Sequence, residues 1–171
     1  MNPPRVILVM GVAGSGKSTV GEMLAARNGG SFYDADDFHP PANIAKMAAG
    51  IPLDDADRAP WLSRLRTEVV AAPPSGQISV LACSALKRAY RETLGVGTAG
   101  VALVYLKGDA ATLAKRLANR AGHYMKADML TSQLAALEEP SSEETLTLGI
   151  DATALEMVIA IETALGLPLS L

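Results

Sequence analysis

Residues 5–18 read RVILVMGVAGSGKS, and this stretch decides the fold. Arg5–Met10 is a short, unbroken apolar run, as expected of a strand buried on both faces of a parallel sheet. Gly11 to Ser18 then fits G-x-x-x-x-G-K-[ST], and a helical pattern follows. Strand, Gly-rich loop and helix in that order form a phosphate-binding loop. Glycines let the backbone curl so that successive N–H groups face phosphate oxygens, and the helix adds its positive dipole end. Gly11, Val12, Ala13, Gly14, Ser15, Gly16, Lys17, Ser18 and Thr19 are therefore the expected nucleotide-binding residues. Lys17 neutralises the β- and γ-phosphates, and the Ser18 hydroxyl is a ligand for Mg²⁺.

Outward from this loop, strand and helix signals alternate. In Lys17–Asn28, Val20, Met23, Leu24 and Arg27 share one helical face, and Gly29-Gly30 ends the helix. Ser31–Asp34 reads as strand two, Pro41–Ala49 and Asp57–Ala72 as helices, and Gln77–Cys83 as strand three. Ala85–Leu94 is expected to be helical, Gly100–Leu106 to be strand four, and Asp109–Arg120 a helix capped by Asp109. A break over Ala121–Ala127, a helix over Met129–Leu137, a weak strand over Thr145–Ile150 and a helix over Thr153–Leu165 complete the chain. Repeated β–α units predict an α/β fold, a parallel sheet with helices on both faces. No repeat or long linker divides the 171 residues, so one domain is expected.

Composition narrows the function. Charged residues make up 19% and apolar residues 49%, which excludes a mostly disordered chain. One cysteine and two histidines cannot build a disulfide framework or the usual structural zinc sets. A net charge of −3 gives no global attraction to nucleic acid or to an anionic membrane. No apolar run reaches the ~20 residues of a spanning helix. A soluble cytoplasmic protein is expected, and the lone cysteine agrees with a reducing compartment.

Asp34-Ala35-Asp36-Asp37 stands where strand two ends, the edge at which open α/β sheets bind ligands. If the chain stays extended, Asp34 and Asp36 point the same way. Such carboxylates can hold Mg²⁺ through water or accept a proton from a substrate hydroxyl. Strand three ends Ala82-Cys83-Ser84 without an acid, so Asp34 is the candidate to replace the carboxylate usually found there. Cys83 reads as a small core residue. His39 either shapes the turn before Pro40-Pro41 or touches substrate. Trp61 is a core or wall aromatic.

Cations gather near the same edge. Lys87 and Arg91 are four apart and should share a helical face; Arg116 and Arg120 repeat that spacing before a Gly-containing break. Arg58, His123 and Lys126 join them. A phosphotransferase places a mobile lid with charge-neutralising arginines in such a position.

These residues together resemble the gluconokinase family of small P-loop carbohydrate kinases. The matching segments are GVAGSGKS (11–18), DADDFHPPANIAKMAAGIPLDDADRAPWL (34–62), CSALKRAYRETL (83–94), RLANRAGHYM (116–125) and SQLAALEEP (132–140). Tyr124 stands where the family's GH-F-M element has Phe. The resemblance implies ATP-dependent phosphorylation of D-gluconate to 6-phosphogluconate, and a homodimer. It also implies a three-layer P-loop kinase fold with a five-stranded parallel sheet of order 2-3-1-4-5. A substrate-binding helical region would span about 38–72 and a short lid about 120–128. By a more distant analogy with shikimate kinases, Asp36 would contact the accepting hydroxyl and Asp34 would lie near the metal. Arg116 would pack against adenine, and Arg120 would reach the phosphates as a catalytic residue beside Lys17 and Asp36. Arg58, Lys87 and Arg91, with His39 and His123, would hold the substrate.

Two other readings compete. One is a P-loop kinase for another aldonic acid, shikimate or a nucleoside monophosphate. The other is a nucleotide-binding regulator without transfer activity. A GTPase switch is disfavoured, because no N-K-x-D guanine-reading tetrapeptide occurs in the chain.

Overall fold

A computed structural model describes residues 2–119 and 123–169. Five strands form one sheet: β1 (Val6–Met10), β2 (Ser31–Asp34), β3 (Ser79–Ala82), β4 (Val101–Lys107) and β5 (Leu146–Gly149). Every pairing is parallel, and the order is β2-β3-β1-β4-β5. Both the parallel sheet and the strand order implied by the resemblance are thus observed.

β1 occupies the centre, and all five of its residues are buried. Its side chains alternate between two cores. Ile7 and Val9 face a layer containing Val20, Leu24, Leu113, Val158 and Ile161. Those residues belong to α1 (Lys17–Arg27), α5 (Ala110–Ala118) and α7 (Ala154–Leu165). Val6, Leu8 and Met10 face Trp61, Leu62, Leu65, Val69 and Leu94 on the other side. This second layer is built from α3 (Asp55–Leu65), the wider helical turn Arg66–Val70 and α4 (Arg88–Thr93). A run apolar at every position is what a strand covered on both faces requires.

The elements depart from expectation where local chemistry outweighs periodicity. α3 starts at Asp55, two residues early, because Asp54 caps it: the Asp54 carboxylate accepts from Asp57 N at 2.7 Å, and Asp57 accepts from Asp54 N at 3.0 Å. The expected single helix to Ala72 instead widens after Leu65, where Ala71 N donates to Arg66 O at 2.8 Å. α4 is only six residues long because Ala85 adopts φ +46° and Lys87 is extended. Asp109 caps α5 as expected, accepting from Thr112 N at 2.7 Å. α2 (Pro41–Ala48) matches its reading within a residue, while α6 runs from His123 to Ala136. The break expected through Ala127 is therefore helical from His123; Arg120, Ala121 and Gly122 lie outside the described residues.

α7 is pinned to α1 by a buried charge. The Glu162 side chain, 0% exposed, accepts from Arg27 Nε and Nη2 at 3.0 Å each and from Asn28 Nδ2 at 2.9 Å. These bonds hold the Glu162 carboxyl below its usual pKa. The pair clamps the back of the helix that begins at Lys17.

Candidate active site

The carboxyl ends of the strands form one edge of the sheet. Register brings the two key segments together: Asp34 of β2 aligns with Ala82 of β3, which aligns with Val9 of β1 just before the Gly-rich loop. That loop follows β1 directly. A Cβ on Gly11 would strike Ser15 Oγ and come within 2.9 Å of the Leu106 carbonyl oxygen, so only glycine fits there. Gly16 holds φ +93° and ψ +19° at the cap of α1, a left-handed conformation that turns the chain into the helix. The loop closes on itself through Ser15 N to Val12 O at 3.2 Å, and Lys17 Nζ donates to Val12 O at 3.1 Å. Among the described residues, Ser15 Oγ is buried without a hydrogen-bond partner.

This cradle fits a nucleotide phosphate chain. Among the described residues, the amides of Gly14 and Gly16 have no protein acceptor, and the first turn of α1 offers further donors. Arg116 borders the cradle. Its Nη1 lies 4.0 Å from where a Gly16 Cβ would sit, and its Nη2 donates to Ile150 O, tying α5 to the end of β5. A hard cation would find oxygen donors in the exposed Ser18 hydroxyl and the half-buried Asp34 carboxylate.

Asp36 does not follow strand alternation as the extended reading required. The chain turns into a 3₁₀ helix over Ala35–Phe38 immediately after Asp34. The Asp34 carboxylate caps that turn, accepting from Asp36 N at 3.0 Å. Asp36 is left with its side chain 86% exposed. Desolvation by the surrounding protein and then the Asp34 charge raise its pKa, while His39 and Lys17 pull the other way. Lys17 is thus among the positive charges that favour the ionised Asp36 carboxylate.

His39 supports this turn from behind. It is buried, and its ring stacks on Trp61 at 4.3 Å between centroids and 14° between planes. Asn43 Nδ2 lies 3.2 Å from His39 Nδ1 and donates to Asp57 O at 2.9 Å. With Asn43 donating, the ring proton sits on Nε2, which is 3.9 Å from Asp36 Oδ1. Burial lowers the His39 pKa, favouring the neutral ring. Trp61 Nε1 donates to Ala35 O at 2.7 Å, so the wall aromatic also holds the turn. The structure therefore gives His39 the turn-shaping position.

The expected cations separate. Lys87 Nζ pairs with Asp55 at 3.1 Å and lies 5.6 Å from the Tyr90 ring centroid; Tyr90 OH also donates to Asp55. Arg58 stands over the same ring at 5.8 Å while Nη1 donates to Leu53 O at 2.6 Å. Lys87, Arg58, Tyr90 and Asp55 thus form one cluster between α3 and the segment after β3. Arg91 is elsewhere: it is 2% exposed, and Nη1 donates to the carbonyls of Ala85 (3.0 Å) and Leu86 (3.1 Å). The helical face it was to share with Lys87 does not exist, because Lys87 precedes the helix. Arg91 props the left-handed turn at Ala85 instead. Cys83 is buried, and burial pushes its thiol up to about 12, which removes it as a nucleophile. Arg120 lies outside the described residues, and His123 is placed only as the first residue of α6.

Reading the sequence missed Asp55, Tyr90 and Gln133. Asp55 looked like one of several acids before a helix. Gln133 was signalled by being polar between Leu130 and Leu137 on an otherwise apolar face. Its Oε1 accepts from Ala13 N at 2.6 Å, across 120 residues of sequence.

A parallel sheet with a glycine cradle after β1, a lysine at its end and carboxylates at the end of β2 defines a P-loop phosphotransferase. A family described as an AAA domain matches residues 6–140. A gluconokinase from Gluconobacter oxydans is 48% identical, with 82% of this chain and 79% of that protein covered. A probable gluconokinase from mouse is 43% identical, with 96% and 100% covered. The crystal structure of a gluconokinase from Sinorhizobium meliloti superposes with a TM-score of 0.84 at 41% identity, covering 97% of this chain and 94% of that one. The chain belongs to the gluconokinase family.

Proposed function

We propose that this protein transfers the γ-phosphoryl group of ATP to the primary hydroxyl of D-gluconate, giving ADP and 6-phospho-D-gluconate. The observation that carries the reading is the strand register, which sets Asp34 and the exposed Asp36 two residues on at the same sheet edge as the phosphate loop. The kinship with gluconokinases supports the choice of acceptor.

In this reading, residues 11–19 hold the phosphates, with Arg116 beside them. Lys17 meets the charge that spreads over the transferred group. Ser18 and Asp34 would hold Mg²⁺, which would supply charge neutralisation for the phosphates. Asp36 accepts the proton of the attacking hydroxyl as that oxygen bonds to the γ-phosphorus. The bond from phosphorus to the β–γ bridging oxygen breaks, and ADP leaves. A raised Asp36 pKa makes the carboxylate a stronger proton acceptor by bringing it nearer the operating pH. His39 holds the Asp36 turn, and Arg91 holds the segment that presents Lys87. Arg58 and Lys87 take the gluconate carboxylate and hydroxyls. Arg120, within a lid of about 120–128, and His123 complete the site.

The chain functions as one kinase domain, as a homodimer in the cytoplasm, without nucleic acid or membrane partners. No helix among the described residues is long and apolar enough to cross a membrane.

A coupled ADP-release assay with Mg·ATP and separate acceptors tests the reading: gluconate, other aldonic acids, glucose, shikimate, AMP and CMP. Strong turnover with gluconate, and a product oxidised by 6-phosphogluconate dehydrogenase, is expected. Turnover with another acceptor but not with gluconate would overturn the substrate.

A further inference from the structure

The phosphate loop is held from outside as well as by its own glycines. Ser15 N bonds back to Val12 O, which leaves Ala13 and Gly14 at the crest of the turn. The Gly14 amide is open, but the Ala13 amide donates to Gln133 Oε1 at 2.6 Å. Gln133 comes from α6, on a helical face anchored by buried Leu130. α5 grips the same crest: a Cβ on Gly14 would lie 3.1 Å from Leu117 Cγ and 3.4 Å from the Leu113 carbonyl oxygen. The crest is therefore wedged between two helices, and among the described residues its polar tether to α6 is the Gln133 amide.

We infer that Gln133 is a positioning residue for the nucleotide, fixing the crest of the phosphate loop through the Ala13 amide. The argument is one of conformational cost. A glycine-rich loop has many backbone states, and a phosphate chain selects one of them. A loop already held in that state binds without the ordering penalty. Gln133 takes the crest amide and leaves those of Gly14 and Gly16 to the ligand. It contributes no group to the reacting atoms. Its removal acts on nucleotide affinity and leaves the acceptor cluster at Arg58, Lys87 and Tyr90 alone.

The test uses the full chain with Gln133→Met, which keeps the length and the apolar stem but has no oxygen. Losing one hydrogen bond to a partly buried amide predicts an approximately tenfold weaker Kd for a non-hydrolysable ATP analogue. KM for ATP rises in step, KM for gluconate stays within about twofold, and Tm is nearly unchanged. Amide exchange at Ala13 in the free protein speeds up about tenfold or more. Gln133→Glu keeps an accepting oxygen and is expected to keep Ala13 protected. Unchanged analogue affinity would overturn the inference, as would unchanged exchange at Ala13 in Gln133→Met. So would a parallel rise of both KM values with a falling Tm, the mark of general destabilisation. Tighter analogue binding would also overturn it, because Gln133 would then compete with the phosphates. The inference rests on nucleotide binding at this loop. Binding of the analogue to the unaltered protein checks that separately, and the acceptor assay is not involved.

Discussion

The two sides of the cleft are made differently. The nucleotide side is mostly backbone: one contiguous segment from Val6 to Arg27, with its strand buried on both faces and its loop shaped by glycines. The proposed acceptor side is mostly side chains from segments far apart: Asp36 after β2, Asp55 and Arg58 in α3, Lys87 and Tyr90 after β3. Backbone amides in a wedged loop are preorganised by the fold. A constellation of long side chains has to be held by its own ion pairs, as Lys87 and Tyr90 are by Asp55. The first arrangement fixes a chemistry common to many kinases; the second can change acceptor without disturbing it.

If the two sides are separable, variants should sort cleanly between them. The largest effect is expected at Lys17→Met, with kcat lowered about 10²–10³-fold, because a preorganised charge at the transferred group is lost. Steady-state kinetics with both substrates varied would show it; a loss confined to gluconate KM would break the division. Next comes Lys87→Met, expected to raise gluconate KM about tenfold with ATP KM unchanged, since a charged hydrogen bond to substrate is removed. A matching rise in ATP KM would mean that the two sides are not independent.

The pH profile should show a smaller but directional effect. The Asp36 pKa is raised by desolvation and by Asp34. Activity should therefore fall, as pH drops, at a higher pH than an ordinary aspartate would give. Asp34→Asn removes the neighbouring charge and should move that acidic limb of kcat downward. An upward movement would contradict the assignment.

Glu162→Ala should leave both KM values alone while lowering Tm by about 5–10 °C, because it removes the buried carboxylate through which Arg27 and Asn28 tie α1 to α7. The Glu162 carboxyl is held below its ordinary pKa in the fold. Its stabilising contribution is thus present above the unfolded value and is lost as pH falls through the folded one. A thermal-melt series from neutral to acid pH should show the variant and the unaltered protein converging. A gap that widens towards acid would contradict the sign.

The same contrast governs what could be read in the sequence. The glycine spacing and the apolar run of β1 placed the nucleotide side to within a residue, since both signals are local. β2 and the Asp109 cap were legible for the same reason. The acceptor side was legible only as a collection of residue types. Lys87 and Arg91 looked like partners because a continuous helix was assumed. Nothing in their spacing shows that Ala85 turns left-handed and that Arg91 is spent on holding that turn. Asp34 and Asp36 were paired by strand alternation, yet the Asp34 cap bends the chain between them. Gln133 reaches Ala13 only through the packing of α6 against the loop, which no local pattern encodes.

The central claim is that Asp36 serves the acceptor and not the nucleotide. Single-turnover phosphoryl transfer to gluconate by Asp36→Asn, with ATP affinity measured in parallel, tests it directly. The account predicts a transfer rate lower by about 10²–10⁴-fold with ATP affinity nearly unchanged. Transfer at close to the unaltered rate would contradict it.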